Sequence, residues 1–176
     1  MGPPQPEFGE LVDMRPVVIS GPKGVVRLGP VLAFSNGFQI QLAVRLREFD
    51  MDTDPFGHRA WGRYAMKGQE LPDDLLRIGV QFADGSKVTS LDQFQRMINR
   101  TAARDPFEQP IGPVMVPTGG GSGGLWDMGY WVWPVPPPEG NLEVVLEWAA
   151  NEIPVTRVPL SANAVVEASQ ASKALW

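Results

Sequence analysis

The chain has no cysteine and a single histidine, His58, among 176 residues. Disulfides, thiolate metal sites and cysteine nucleophiles are excluded together, and one imidazole with no thiolate beside it makes no zinc constellation. Runs of basic residues are also missing. The 4 lysines and 11 arginines are dispersed, and the formal net charge is −5 with a pI near 4.9. No stripe of cations is available to neutralise phosphates, which disfavours a nucleic-acid partner. No stretch approaches the roughly 18 unbroken apolar residues of a membrane-spanning helix. The opening "MGPPQPEFGE" has neither a basic nor an apolar leader region, so the expectation is a cytoplasmic chain without a membrane span.

What is abundant is glycine, 19 residues, and proline, 18 residues, on a background that is 43% apolar and 20% charged. The background is that of a globular protein. The glycine and proline load argues against long helices and for short strands joined by tight turns. In "GFQIQLAVRLREF", Phe38, Ile40, Leu42, Val44 and Leu46 alternate with Gln39, Gln41, Ala43, Arg45 and Arg47, the period of a strand with one wet face. Asn36-Gly37 joins this run to Val31–Phe34 as a hairpin. "LLRIGVQFADGSKVTSL" repeats the pattern, with Leu76, Ile78, Val80 and Phe82 on one face and Asp84-Gly85 as the turn. Between them, 50–73 reads as a long polar loop. A helical stripe at Leu91, Phe94 and Ile98 ends before Asp105-Pro106.

The last third offers a strand at Val114–Val116, a glycine run read as a flexible linker, and a strand from Trp126 to Val135. "NLEVVLEWA" follows as a strand wet on one side, and "IPVTRVPL" as an edge strand, since Pro154 and Pro159 cannot donate to a ladder. Ser161 caps a helix expected over 161–175. The expected organisation is a loose tail at 1–8 and one domain at 9–176. Its fold class is mainly β: a two-sheet antiparallel β-sandwich, immunoglobulin-like or C2-like, with that C-terminal helix.

Three of the six tryptophans fall between Trp126 and Trp133. Alternation puts Trp126, Met128, Tyr130 and Val132 on one face and Asp127, Gly129, Trp131 and Trp133 on the other, so both faces of this strand are apolar. An outer layer needs one apolar face; the second must be covered or left for a partner. The helix, with Ala164, Ala168 and Ala171 in a stripe, is the obvious cover. The alternative is that Trp131 and Trp133 form a partner-binding surface.

The glycine run followed by "WDMGYWVWPVPPPEGNLEVVLEWAANEIP", together with "IGVQFADGSKVT", resembles a group of short bacterial proteins of unassigned function. The resemblance covers about half the chain and implies a single bacterial domain; it carries no activity or site.

Catalytic signatures are sparse. "GGGSGG" has no following Lys-Ser or Lys-Thr and fails as a phosphate loop. His58 has no nucleophile elbow to serve. Asp50, Asp52 and Asp54 alternate in "DMDTDP" and suit calcium, which takes several hard oxygen ligands, but Pro55 and Trp61 break the EF-hand pattern. Asp84 and Asp127 are spare carboxylates. The functional expectation is a non-catalytic domain with no cofactor, acting through a protein partner or as a homo-oligomer by way of Trp131 and Trp133. The alternative is a calcium- or carbohydrate-binding module using Asp50, Asp52 and Asp54 or the aromatic face, and an enzyme ranks third.

Overall fold

A computed structural model of the chain describes residues 2–4, 6–48, 55–56, 72–92 and 112–176. Asp50, Asp52, Asp54, His58, Phe94 and Ile98 lie outside the described residues. The described part is mainly β, with three antiparallel sheets and one helix. In chain order the elements are β1 (Glu7–Phe8), β2 (Glu10–Leu11), β3 (Val17–Ser20), β4 (Gly24–Phe34), β5 (Gly37–Leu46), β6 (Arg77–Gln81), β7 (Lys87–Thr89), β8 (Val114–Ser122), β9 (Leu125–Trp133), β10 (Asn141–Trp148), β11 (Ile153–Ser161), α1 (Ala162–Ala171) and β12 (Lys173–Ala174).

The largest sheet has six strands in the order β2-β4-β5-β9-β8, with β3 alongside β2 on the same edge of β4. A second sheet runs β11-β10-β6-β7, and β1 pairs with β12 in a short ribbon. The inward rows follow the alternation in the sequence. Phe38, Ile40, Leu42 and Val44 of β5 and Trp126, Met128, Tyr130 and Val132 of β9 meet Ile78 and Val80 of β6 and Leu142, Val144, Leu146 and Trp148 of β10 in one buried cluster. Removal of this apolar area from water, at about 25 cal/mol per Å², is the main force holding the two larger sheets together. β11 takes the edge that its prolines suggested, with Pro159 opposite Glu143.

Three features differ from expectation. The glycine run is no linker: β8 continues through it, and Gly119, Gly120 and Gly121 pair with Met128, Asp127 and Trp126. The turn lies beyond, at Gly123-Gly124, both with positive φ, and Ser122 opposite Leu125 closes a two-residue hairpin that needs φ > 0 at both positions. The helix ends at Ala171 instead of 175, because Lys173 and Ala174 leave it to pair with Phe8 and Glu7. Its position also differs. With the Ser161 hydroxyl accepting from the Ala164 N–H at 3.2 Å, α1 buries Ala162, Val165 and Ala168 in the main core and touches β2, β4 and β5 of one sheet and β10 and β11 of the other. It plugs the gap between two sheets.

Two polar devices tie the ends of the fold. Asn151, fully buried after the turn that follows β10, presents its amide to the start of β4 as a strand backbone would. Its Oδ1 accepts from the Lys23 N–H at 2.6 Å and the Gly24 N–H at 3.0 Å, and its Nδ2 donates to the Gly24 carbonyl at 3.1 Å. These bonds join the two larger sheets without a shared strand. At the other end, Glu7 Oε1 accepts from the Ser35 N–H and the Ser172 hydroxyl, both at 2.5 Å, and Oε2 accepts from the Ser35 hydroxyl at 2.6 Å. Partial burial raises the Glu7 pKa, but the hydrogen bonds from Ser172 and Ser35 outweigh it and hold the carboxyl below its usual 4.5.

Asn151→Ala leaves the buried Gly24 N–H and the partly buried Lys23 N–H without their acceptor, while the Gly24 carbonyl keeps the Gly21 N–H; at about 1–3 kcal/mol for a buried group left unpaired, the variant loses roughly 2–3 kcal/mol of stability in urea melts. Glu7 gives a pH signature. Its folded pKa lies below the unfolded one, so its contribution is present above the unfolded value and fades as pH falls through the folded one. The melting temperature of wild type therefore exceeds that of Glu7→Gln at pH 7, and the gap narrows below about pH 4.

Candidate functional site

The second apolar face of β9 is closed by the N-terminal part of the chain, not by α1. Trp131 is 0% exposed yet stands outside the main core cluster, on the far side of the sheet. Phe34 meets it edge-on, with ring centroids 5.5 Å apart and planes at 71°. The hairpin at Ser35-Asn36 leaves Gly37 opposite Phe34, and here the glycine is needed for space: a Cβ would come within 2.6 Å of the Trp131 ring. Gly9 does the same for Phe34, whose ring would lie 2.6 Å from a Cβ at that position. The segment between β1 and β2 thus lies on Phe34, and Phe34 lies on Trp131. The Trp131 Nε1–H, buried in this stack, has no hydrogen-bond partner among the described residues.

Trp133, two residues on, shares that face but is only half buried. Beyond it, Pro134–Pro137 run past the β6–β7 hairpin. Between them lies a groove of about 560 Å³ lined by Phe82, Asp84, Ser86, Gly112, Pro113 and Trp133 together with those four residues. The hairpin wall is well fixed: the Phe82 N–H donates to Ser86 O at 2.9 Å, the Gly85 N–H donates to Phe82 O at 3.0 Å, and the Ser86 N–H donates to Asp84 Oδ1 at 2.8 Å. The Ser86 hydroxyl and its N–H hold the Asp84 carboxyl below its usual range, so it stays ionised at neutral pH. The groove offers an indole edge, proline rings, an anion and a hydroxyl.

Asp127, the other spare carboxylate, is held by Arg45 at 2.7 Å on the exposed face of β5 and β9. Tyr130 points into the core, where burial pushes its phenol pKa upward and keeps it neutral. Among the described residues no group of three or more His, Cys, Asp or Glu side chains is placed to hold a metal ion, and no helix is long and apolar enough to cross a membrane. Of the residues singled out by sequence, Trp133 meets solvent in a concave site and Trp131 does not. Asp84 stood out in the sequence as a spare carboxylate, but Phe82 and Ser86 only as parts of a strand and a turn. Their approach to Trp133 depends on how the two sheets stack, for which a single sequence carries no signal. No protein family, curated protein or solved structure matches the chain.

The two tryptophans are separable by stability. Trp131→Ala empties a closed site and costs about 3–5 kcal/mol, whereas Trp133→Ala, at a partly buried position, costs about 2 kcal/mol. Urea melts of the two variants beside wild type check the difference.

Proposed function

We propose that the chain is a non-catalytic binding domain, built on a two-sheet antiparallel β-sandwich of immunoglobulin-like or C2-like type, that acts by holding a protein partner at the Trp133 groove. The observation that carries this reading is the partly buried indole at the head of a concave, proline-lined surface. Tryptophan in such a position is a frequent interface anchor, and grooves lined by aromatic side chains suit extended, proline-containing segments. Both larger sheets contributing to one core supports the sandwich. A formal charge of −5 leaves a nucleic acid an unfavoured partner.

The carbohydrate reading has one observation in its favour, the Asp84 carboxylate and Ser86 hydroxyl beside Trp133, since a sugar stacks an apolar face on an indole and hydrogen-bonds at its rim. The calcium reading depends on Asp50, Asp52 and Asp54, outside the described residues.

Affinity capture with wild type, Trp133→Ala and a control, Arg45→Ala on the opposite part of the same face, tests the proposal, with a glycan array run on the same proteins. The expected result is a protein captured by wild type and Arg45→Ala and lost with Trp133→Ala, whose melt stays within about 2 kcal/mol of wild type. Equal capture by all three overturns the reading. A glycan signal that depends on Trp133, with no captured protein, transfers the site to the carbohydrate class.

A further inference from the structure

The outer face of the β11-β10-β6-β7 sheet has a hole near its centre. The register sets Arg157, Val145, Gly79 and Thr89 side by side across the four strands. At Gly79 that row has no side chain, and a groove of about 260 Å³ opens over it. The absence is structurally enforced, because a Cβ there would come within 2.8 Å of the Val88 carbonyl oxygen. Val145 and Val155, the latter 57% exposed, supply apolar lining.

The polar lining has an excess of one sign. Arg77, Lys87 and Arg157 border the groove against one carboxylate, Glu147. Arg77 pairs with Glu147 at 3.0 Å and Arg157 with Glu143 at 2.5 Å. Lys87 has no ion pair among the described residues. The Arg77 Nε–H is buried without a hydrogen-bond partner among the described residues and lies out of a ligand's reach, so Lys87 is the cation left to face one. In a chain of net charge −5, this is a local reversal of sign around an apolar floor.

We propose that this groove binds a small organic anion, a carboxylate carried on a single aromatic or branched aliphatic body. The body lies over Gly79 against Val145, and the carboxylate faces Lys87, the lining cation without an ion pair among the described residues. Size and charge select this class. The volume lies just under the roughly 300–1,000 Å³ of drug-sized ligand pockets, which suits one or two rings and is short for a peptide strand. A polyphosphate needs several uncompensated cations, and two of the three here are already neutralised.

The test is a titration of the full chain with 2-naphthoate, followed through backbone amide chemical shifts. Saturable shifts at Gly79, Thr89 and Val145 are expected, with 2-naphthamide and 2-naphthylmethylammonium binding about tenfold more weakly or worse, and with naphthoate affinity falling as salt rises. Lys87→Glu, at the exposed start of the short edge strand β7, should keep the wild-type melt and weaken naphthoate by about fivefold or more. Non-saturating shifts, saturation at other residues, equal binding of the neutral amide, or unchanged affinity in Lys87→Glu each overturn the proposal.

Discussion

Trp131 places the largest side chain of the protein on the side of the six-stranded sheet that faces away from the core, and burying that indole constrains most of what lies outside the core. An exposed ring of this size would forfeit several kcal/mol of burial and present a sticky patch. The chain closes it with Phe34, reached through the β4–β5 hairpin, and closes Phe34 in turn with the backbone around Gly9. That solution requires the N-terminal segment to be held in place. Glu7 bonded to Ser35 and Ser172, and β1 paired with β12, hold it. The residues after the helix must therefore leave helical geometry by Ser172, which is why α1 stops where it does. The cover also runs out before Trp133, and the half-open indole at its margin is the head of the groove.

A second constraint is the need to join two sheets that share no strand. Apolar contact between the sheets is strong but non-directional, and it does not by itself fix one sheet against the other. Asn151 supplies direction, since its amide accepts and donates in the pattern of a neighbouring strand and takes up buried groups at the start of β4. Placed in the turn Ala149–Asn151 that joins β10 to β11, it anchors the six-stranded sheet to the four-stranded one at one end, while α1 touches both sheets elsewhere.

Legibility in the sequence followed the range of the interaction. Alternation in "GFQIQLAVRL" and in "LWDMGYWVW" reports a face, which is a local property, and both inward rows are where the pattern puts them. Pro154 and Pro159 report an edge through missing donors, also local. A stripe of alanines marks a face that can approach something closely without saying what; the face of α1 that docks is Ala162, Val165 and Ala168, with Ala171 left exposed, and glycines 9 and 37 make the close contacts at Phe34 and Trp131 from a distance in sequence. The glycine run misled for a related reason. Glycine in a strand costs order, and nothing local shows that its partner residues on β9 are fixed strongly enough to hold it. Asn36-Gly37 pointed to the correct hairpin through the wrong feature: the loop is Ser35-Asn36, and Gly37 is small because Trp131 lies on it.

The two outer sheet faces end up treated in opposite ways, and the difference bears on function. On the six-stranded sheet the chain spends its own N-terminal segment to cover apolar surface, leaving Gln39, Thr118, Arg45 and Asp127 to bond among themselves nearby. On the four-stranded sheet nothing comparable is laid over Val145 among the described residues; cross-strand ion pairs flank a glycine that packing forbids from growing. Surface ion pairs of this kind contribute about 1 kcal/mol or less each, so their stabilising value is small beside their effect on shape, which is to pin long side chains at the rim and keep the floor open. Two of the concave sites among the described residues are therefore framed differently: at the first, Asp84 is held by the Ser86 N–H beside Trp133, and at the second Lys87 is the lining cation without an ion pair among the described residues.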